Sequence, residues 1–326
     1  LQVREAVVNG VPDSLKRAIA GGIGLFITLI GLQWAGVVEK TLETGLSLGD
    51  LQKPYVINFL IGFLITLVLY IRRVKGALLL GIIGGALAGI PLGTVHLTGV
   101  VGKPPSIAPT FLKLDVLGVL RFEYIVPIVV LFLLDFFDTV GTLIGVGSYA
   151  GLMKEGKLPR AKQALFADSI GTVFGALVGT STVTSYIESA AGVSEGGRTG
   201  LTSVFTAVFF LLAMFFHPFV KAVGGGCVDG DLVFYPVIAP ALVMVGVLMM
   251  KSVKDIDWER MDDCIPAFLV LIGIPFTYSI SDGMAWGFIS YPIVKLAAGK
   301  AREIQPVMWI LFVVFLFGMV LRSLTG

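Results

Sequence analysis

Apolar runs separated by short polar or basic loops occupy the whole chain. A membrane-crossing helix needs about 20 apolar residues at roughly 1.5 Å of rise each. On that rule the sequence predicts spans at 14–38, 54–71, 76–95, 124–149, 164–179, 200–220, 232–250, 264–281 and 306–321, with a shorter run at 283–298. Residues 98–121 read as a polar, proline-containing connection, and 181–197 as a short, broken segment. The pattern therefore predicts an all-α polytopic membrane protein with about ten or eleven membrane segments.

The loops set the orientation, because Lys and Arg accumulate on the cytoplasmic side. Arg72-Arg73-Val74-Lys75 is a tight basic loop. Lys154, Lys157, Arg160 and Lys162 mark a second, Lys251, Lys254 and Arg260 a third, and Lys295, Lys300 and Arg302 a fourth. Loops 39–53 and 221–231 hold more acid than base. The alternation closes only if 181–197 crosses the membrane, although it is too polar for an ordinary helix.

Composition agrees with this class. The chain is 56% hydrophobic and only 14% charged, with a mean hydropathy of +0.93, whereas soluble domains are nearer 25% charged. Its 41 glycines suit helix packing in lipid, where small residues let backbones approach. Gly81, Gly84, Gly85 and Gly89 make one such face, and Gly141 with Gly145 another. A net charge of +2 implies no nucleic-acid partner. Two cysteines, Cys227 and Cys264, and two histidines, His96 and His217, specify neither a disulfide framework nor a metal site. The chain opens at Leu1 with a polar, loop-like stretch and no signal peptide, so it is expected to start partway through a longer protein.

The chemistry concentrates between residues 131 and 198. Asp135, Asp138 and Glu188 sit in sequence otherwise fit for a bilayer. A charge at the bilayer centre costs about 2.5–3.5 kcal/mol on insertion scales, so such acids point to function. Asp135 and Asp138 are three apart and share a helical face. Asp168, near the start of its span, reads as structural. The run Ser181-Thr182-Val183-Thr184 favours extended backbone. Ser185-Tyr186-Ile187-Glu188 matches a capping box, which starts a helix, and Ser189 to Gly192 continue it. An extended piece joined to a half-helix is thus expected, and non-helical backbone survives at membrane depth only when buried in protein or lining a cavity. A half-helix start also presents free N–H groups to a polar substrate; here those near Ser185 to Ile187 would meet ring acceptors.

Asp135-Phe-Phe-Asp138-Thr-Val-Gly141-Thr142, Ala167-Asp168-Ser169, and Gly179-Thr-Ser-Thr-Val-Thr-Ser-Tyr-Ile-Glu188-Ser-Ala-Ala-Gly192-Val-Ser-Glu-Gly-Gly-Arg198-Thr-Gly200 resemble the AzgA-like purine permeases, a branch of the nucleobase–cation symporters in the nucleobase/ascorbate transporter superfamily. The resemblance covers essentially the whole chain. It implies an inverted-repeat transporter whose core domain moves against a gate domain, with several further spans before Leu1. Residues 1–121 would then be the first gate helices and connection, 122–221 half of the core with the substrate site, and 222–326 the second gate helices and C-terminal helix. It implies proton-coupled uptake of adenine, guanine or hypoxanthine across the cytoplasmic membrane, with the proton as coupling ion and no other cofactor. Its partners would be the purine and the lipid bilayer, and it admits a homodimer.

The resemblance implies base binding by the acids Asp135 and Asp138 and by Glu188; of these, Asp138 and Glu188 are expected to hold the base with Thr184, Ser185 and Tyr186, and Asp135 with Thr142 to serve proton coupling or site support. The chemistry is coherent: an ionised carboxylate only accepts and can take two N–H donors of a flat base. Two rival classes remain distinguishable. An anion transporter on the same fold would want neutral or basic groups where three acids stand. An intramembrane aspartyl-type enzyme would need two facing acids from different helices, and would form product rather than accumulate a base.

Overall fold

The computed structural model describes residues 10–41, 45–154 and 157–325; the polar opening expected at 1–13 lies mostly outside them. It is built of helices and two small hairpins, and it divides into two units. One comprises Leu1–Leu25, Ser106–Ile187 and Met249–Gly326, the other Phe26–Pro105 and Glu188–Leu248. Helix α1 (Asp13–Trp34) contributes to both.

In the first unit, α5 (Phe122–Tyr149) and α6 (Ala161–Val178) carry the acidic motifs. Glycines allow α5 to be approached closely, as the small-residue ridge predicted. A Cβ at Gly141 would lie 2.8 Å from Ile280, and one at Gly145 would lie 3.2 Å from Ile23. Ile23, Ile144, Met249 and Met284 are fully or almost fully buried beside them. Helices α11 (Met261–Thr277) and α12 (Ile280–Ala297) form a tight hairpin. Its turn uses Tyr278 in the left-handed region, and Ser279 caps α12 by accepting the Asp282 N–H at 3.2 Å. A Cβ at Gly273 would stand 3.1 Å from the Cα of Gly283, so the two backbones nearly touch.

One loop cation is not where the sequence reading put it. Lys295 is 1% exposed, and its ammonium donates to Asp262 at 2.6 Å and Glu303 at 2.8 Å. Asp263 lies 3.0 Å from it. Lys300 and Arg260 complete the cluster around the same carboxylates. A buried ammonium needs such partners, since an uncompensated buried charge is strongly unfavourable.

In the second unit, α2 (Pro54–Ile71) packs on α3 (Ala77–Gly89) through the predicted glycine face. Gly85 meets Gly62, Gly84 faces Ile65, and a side chain at Gly81 would collide with Thr66. The loop 39–53 contains part of an antiparallel hairpin, Val38–Thr41 with Gly45–Leu48, and a second hairpin, Cys227–Asp229 with Leu232–Phe234, takes the first residues of the span expected at 232–250, whose helix starts only at Ala239. In the latter, Gly230 at φ +62° occupies the first turn position, where a II′ turn favours glycine. The hairpin is anchored by Tyr55 stacking on Phe234 at 4.0 Å and by Lys53 paired with Asp229 at 2.9 Å.

The span expected at 200–220 is interrupted. Gly200–Ala213 (α8) and His217–Gly224 (α9) are bent by 100°. Among the described residues, Asp13–Trp34 and Pro54–Ile71 are each long and apolar enough to cross a membrane, and Ala77–Gly89 and Pro306–Met319 are shorter apolar helices.

Candidate functional site

Three stretches of the first unit meet at the acidic motifs: α5, α6 and the segment 180–187, which is neither helix nor strand except for a turn at its end. α6 ends at Gly179, whose φ of +85° and contact with Thr110 leave no room for a side chain. Thr110 donates to the Val178 carbonyl at 3.0 Å, and Leu112 N–H to the Leu177 carbonyl at 2.9 Å, satisfying the end of the helix.

The segment is then hydrogen-bonded to both helices. Thr182 Oγ1 donates to Asp135 Oδ1 at 2.9 Å, and the Thr184 and Thr139 hydroxyls meet at 2.8 Å. Asp135 and Thr139 are four apart on a helix, roughly 6 Å of rise, and Thr182 and Thr184 are two apart on extended chain, roughly 6.6 Å. The two repeats match, so the segment runs parallel to α5. Against α6 it runs the other way: Thr172 Oγ1 donates to the Val183 carbonyl at 2.9 Å, and Asp168, one turn earlier, binds Ser185. Gly171 and Gly175 share that face of α6, and side chains there would press on Val183 at 3.3 and 2.8 Å. Backbone outside a helix thus finds its partners in neighbouring polar groups, as membrane depth requires.

Asp168 is a hub of this arrangement. Its Oδ1 accepts the Ser185 N–H at 3.0 Å and the Ser185 hydroxyl at 3.2 Å, and its Oδ2 accepts the Thr139 hydroxyl at 3.2 Å. The structural role expected for it is what these bonds provide. They also correct the reading of Ser185. Its N–H and hydroxyl are engaged by Asp168, so it neither starts a capping box nor holds its N–H open to a ligand in this conformation. The helix α7 begins later, at Ser189–Ser194, with Glu188 in the N-cap position and no side-chain cap bond. A carboxylate across from Ser185 offers a stronger acceptor than the local capping geometry.

The remaining predicted residues divide by environment. Thr142 is 2% exposed and lies one turn beyond Asp138 on the face of α5 that carries Asp135. Asp138 is half-buried and has no hydrogen-bond partner among the described residues. Tyr186 is 62% exposed, and Glu188, which belongs to the second unit, is exposed too. Phe136 stacks on Phe132 at 6.2 Å. Of these three acids of the first unit, Asp135 and Asp168 accept from protein donors and Asp138 from none among the described residues. Thr139, Thr172 and Thr182 were missed by the sequence reading; their signal was the spacing of hydroxyls along each element.

An apolar helical frame holding carboxylates and hydroxyls around an unwound segment defines a helical membrane protein with a polar site, the architecture of a transporter. The chain belongs to the Permease family, whose model matches residues 1–286. It is 42% identical over 316 residues to the guanine/hypoxanthine permease PbuG of Bacillus subtilis, covering 96% of this chain and 70% of that protein. It is 40% identical over 320 residues to the adenine permease AdeP of Escherichia coli, covering 98% and 70%. The nucleobase transporter PlAzg2 of Paenibacillus larvae is 36% identical over 293 residues, covering 89% and 56%. The AzgA-like resemblance of the motifs is thereby borne out at the level of the family.

Proposed function

We propose that this protein takes up purine nucleobases across the cytoplasmic membrane as a proton-coupled secondary transporter. The observation that carries the reading is Asp138: a half-buried carboxylate without a donor among the described residues, beside Asp135 and Asp168, which already have theirs. A purine brings adjacent N–H donors and ring acceptors on a flat apolar body, and an acceptor-only carboxylate complements the donors. The names of the relatives PbuG and AdeP support the purine class.

In this reading Asp138 and Glu188 bind the base, with Thr184, Ser185 and Tyr186 around it, and Asp135 with Thr142 carries or supports the proton step. Residues 122–221 act as part of a core domain that moves against a gate formed by 1–121 and 222–326, in an inverted-repeat fold whose half-helix begins near Glu188. Hydrogen bonds from Thr182 and Ser185 hold the unwound segment beside Asp135 and Asp168, so this part needs no ordering by the ligand.

The test is uptake of radiolabelled hypoxanthine by cells expressing the protein, challenged with unlabelled purines and pyrimidines. Competition by adenine, guanine or hypoxanthine, with the label recovered unchanged, is expected. Competition by pyrimidines alone would overturn the substrate class, and a chemically altered label would point to an enzyme.

A further inference from the structure

We propose that the first unit carries a second ligand site, selective for a phosphate-bearing anion, in a cavity at the basic-loop end of α1 and α5. The cavity measures about 370 Å³, and among the described residues its charged lining sets Lys16, Arg17, Lys251 and Lys254 against Asp13 and Asp255. That is the lower end of the size range of small-molecule sites.

The charge balance argues for an anion. Among the described residues four cations face two carboxylates, an excess of two positive charges inside one concavity. One acid is already committed: Asp13 Oδ1 lies 3.6 Å from the Lys16 ammonium. Arg17 spends a guanidinium N–H on the Asp255 backbone carbonyl, which leaves its charge uncompensated by that bond. Neither Arg17, Lys251 nor Lys254 forms an ion pair among the described residues. Low-dielectric walls focus the field of such a cluster and raise the local concentration of counter-ions.

The site is also built, not merely charged. Lys16 is 2% exposed, so one cation is fixed within the wall and is not a mobile surface side chain. Ser252 Oγ donates to the Arg17 carbonyl at 3.1 Å and lies 2.9 Å from the Met249 carbonyl, tying the 3₁₀ turn Met250–Asp255 to α1. That bond sets the distance between Arg17 and the lysines of the turn. A planar guanidinium fork beside ammonium groups suits phosphate oxygens, with Arg giving paired donors and Lys point charges. The acids of the transport site are absent from this lining, so the two sites differ in charge preference.

A free phosphate and the phosphate of an anionic lipid headgroup share this chemistry, and the test separates them. The protein is reconstituted in phosphatidylcholine discs, and its melting temperature is followed against inorganic phosphate, with sodium chloride at matched ionic strength as control. A second series replaces part of the phosphatidylcholine by phosphatidylglycerol. A ligand that binds only the folded state raises the melting temperature with a saturable dependence on its concentration. A saturable rise with phosphate identifies a soluble ligand, and a rise with phosphatidylglycerol alone identifies a headgroup. Either supports the site if Lys251→Gln with Lys254→Gln weakens the midpoint by about tenfold, the scale of losing a charge-assisted hydrogen bond. Both lysines are exposed, so the variant should fold, and its unchanged melting temperature in plain phosphatidylcholine verifies that. No shift from either probe, a shift equalled by chloride, or an equal response in the variant would overturn the proposal.

Discussion

Thr182 donates its hydroxyl to Asp135 at 2.9 Å, joining an unwound segment to the acidic helix across 47 positions of sequence. The Thr172 hydroxyl, which donates to the Val183 carbonyl, lies 3.0 Å from the same oxygen, so the segment rests against both helices of the site. Replacing Thr182 by Val keeps the shape and removes the donor. A hydrogen bond to a charged group contributes about 1.5–3 kcal/mol, so Thr182→Val should lower uptake about tenfold or more at unchanged surface expression. Thr182→Ser should retain most of it. Equal activity of the valine variant would show that Asp135 needs no fixed donor.

Gly175 tests the packing of that segment. A methyl group there would lie 2.8 Å from Val183 Cγ2, 3.0 Å from Thr180 Oγ1 and 3.1 Å from the Ser181 carbonyl. Overpacking of this kind costs about 1–3 kcal/mol. Gly175→Ala should lower the melting temperature and uptake together, and Val183→Ala should partly restore both by removing the closest clash. The double-mutant cycle measures that coupling. Additive effects would mean that the segment does not rest on this face of α6.

Much of the fold was legible because helix periodicity and small-residue spacing are local signals. Gly141 and Gly145, and Gly81 with Gly84 and Gly85, packed where their spacing predicted. The site was legible in its acids but not in its bonds. Ser185 matched a capping box because Glu188 follows three residues later, yet Asp168, 17 positions away, captured its N–H. Local pattern cannot weigh a long-range acceptor. Lys295 differs for the same reason: a lysine near the end of an apolar run reads as a loop cation until Asp262, 33 positions away, and its neighbour Asp263 join Glu303 around it. The hairpin at Gly230 could have been found, since Gly230-Asp231 is a two-residue hairpin signal in the sequence itself.

The ion cluster makes acid stability testable. Hydrogen bonding from Lys295 holds the Glu303 carboxyl below its ordinary range, with Lys300 and Arg260 adding to the effect. A carboxyl whose folded value is depressed contributes stability that is complete above its unfolded value and is lost as pH falls through the folded one. Stability should therefore decline below the ordinary glutamate range of about 4.3, and Glu303→Gln should flatten that decline. An unchanged acid limb in the melting-temperature profile of Glu303→Gln would assign it to other groups.

Glu188 and Asp138 are proposed to share the base, and their amide variants should separate binding from folding. Asp138→Asn and Glu188→Gln each preserve size while replacing an acceptor pair by one acceptor and one donor group. Each should abolish purine uptake while the protein still reaches the membrane. Near-normal uptake by a well-expressed Glu188→Gln variant would reduce Glu188 to a residue at the start of α7.

The proton is the remaining element of the proposed mechanism, and Asp135 is its proposed carrier. A neutral acid crosses a low-dielectric gate at far lower cost than a carboxylate, so inward symport would load base and proton together and release both inside. Uptake should fall as external pH rises, and it should collapse with a protonophore. Asp135→Asn removes the titrating group but keeps an oxygen that can accept from Thr182. It should therefore retain part of base-driven counterflow, which needs no net proton movement, and lose accumulation against a gradient. Measured side by side in the variant, counterflow and net uptake decide the matter. If both vanish together, Asp135 serves the site as a whole and carries no separable proton step; if wild-type accumulation survives the protonophore and follows external sodium, the coupling ion is sodium.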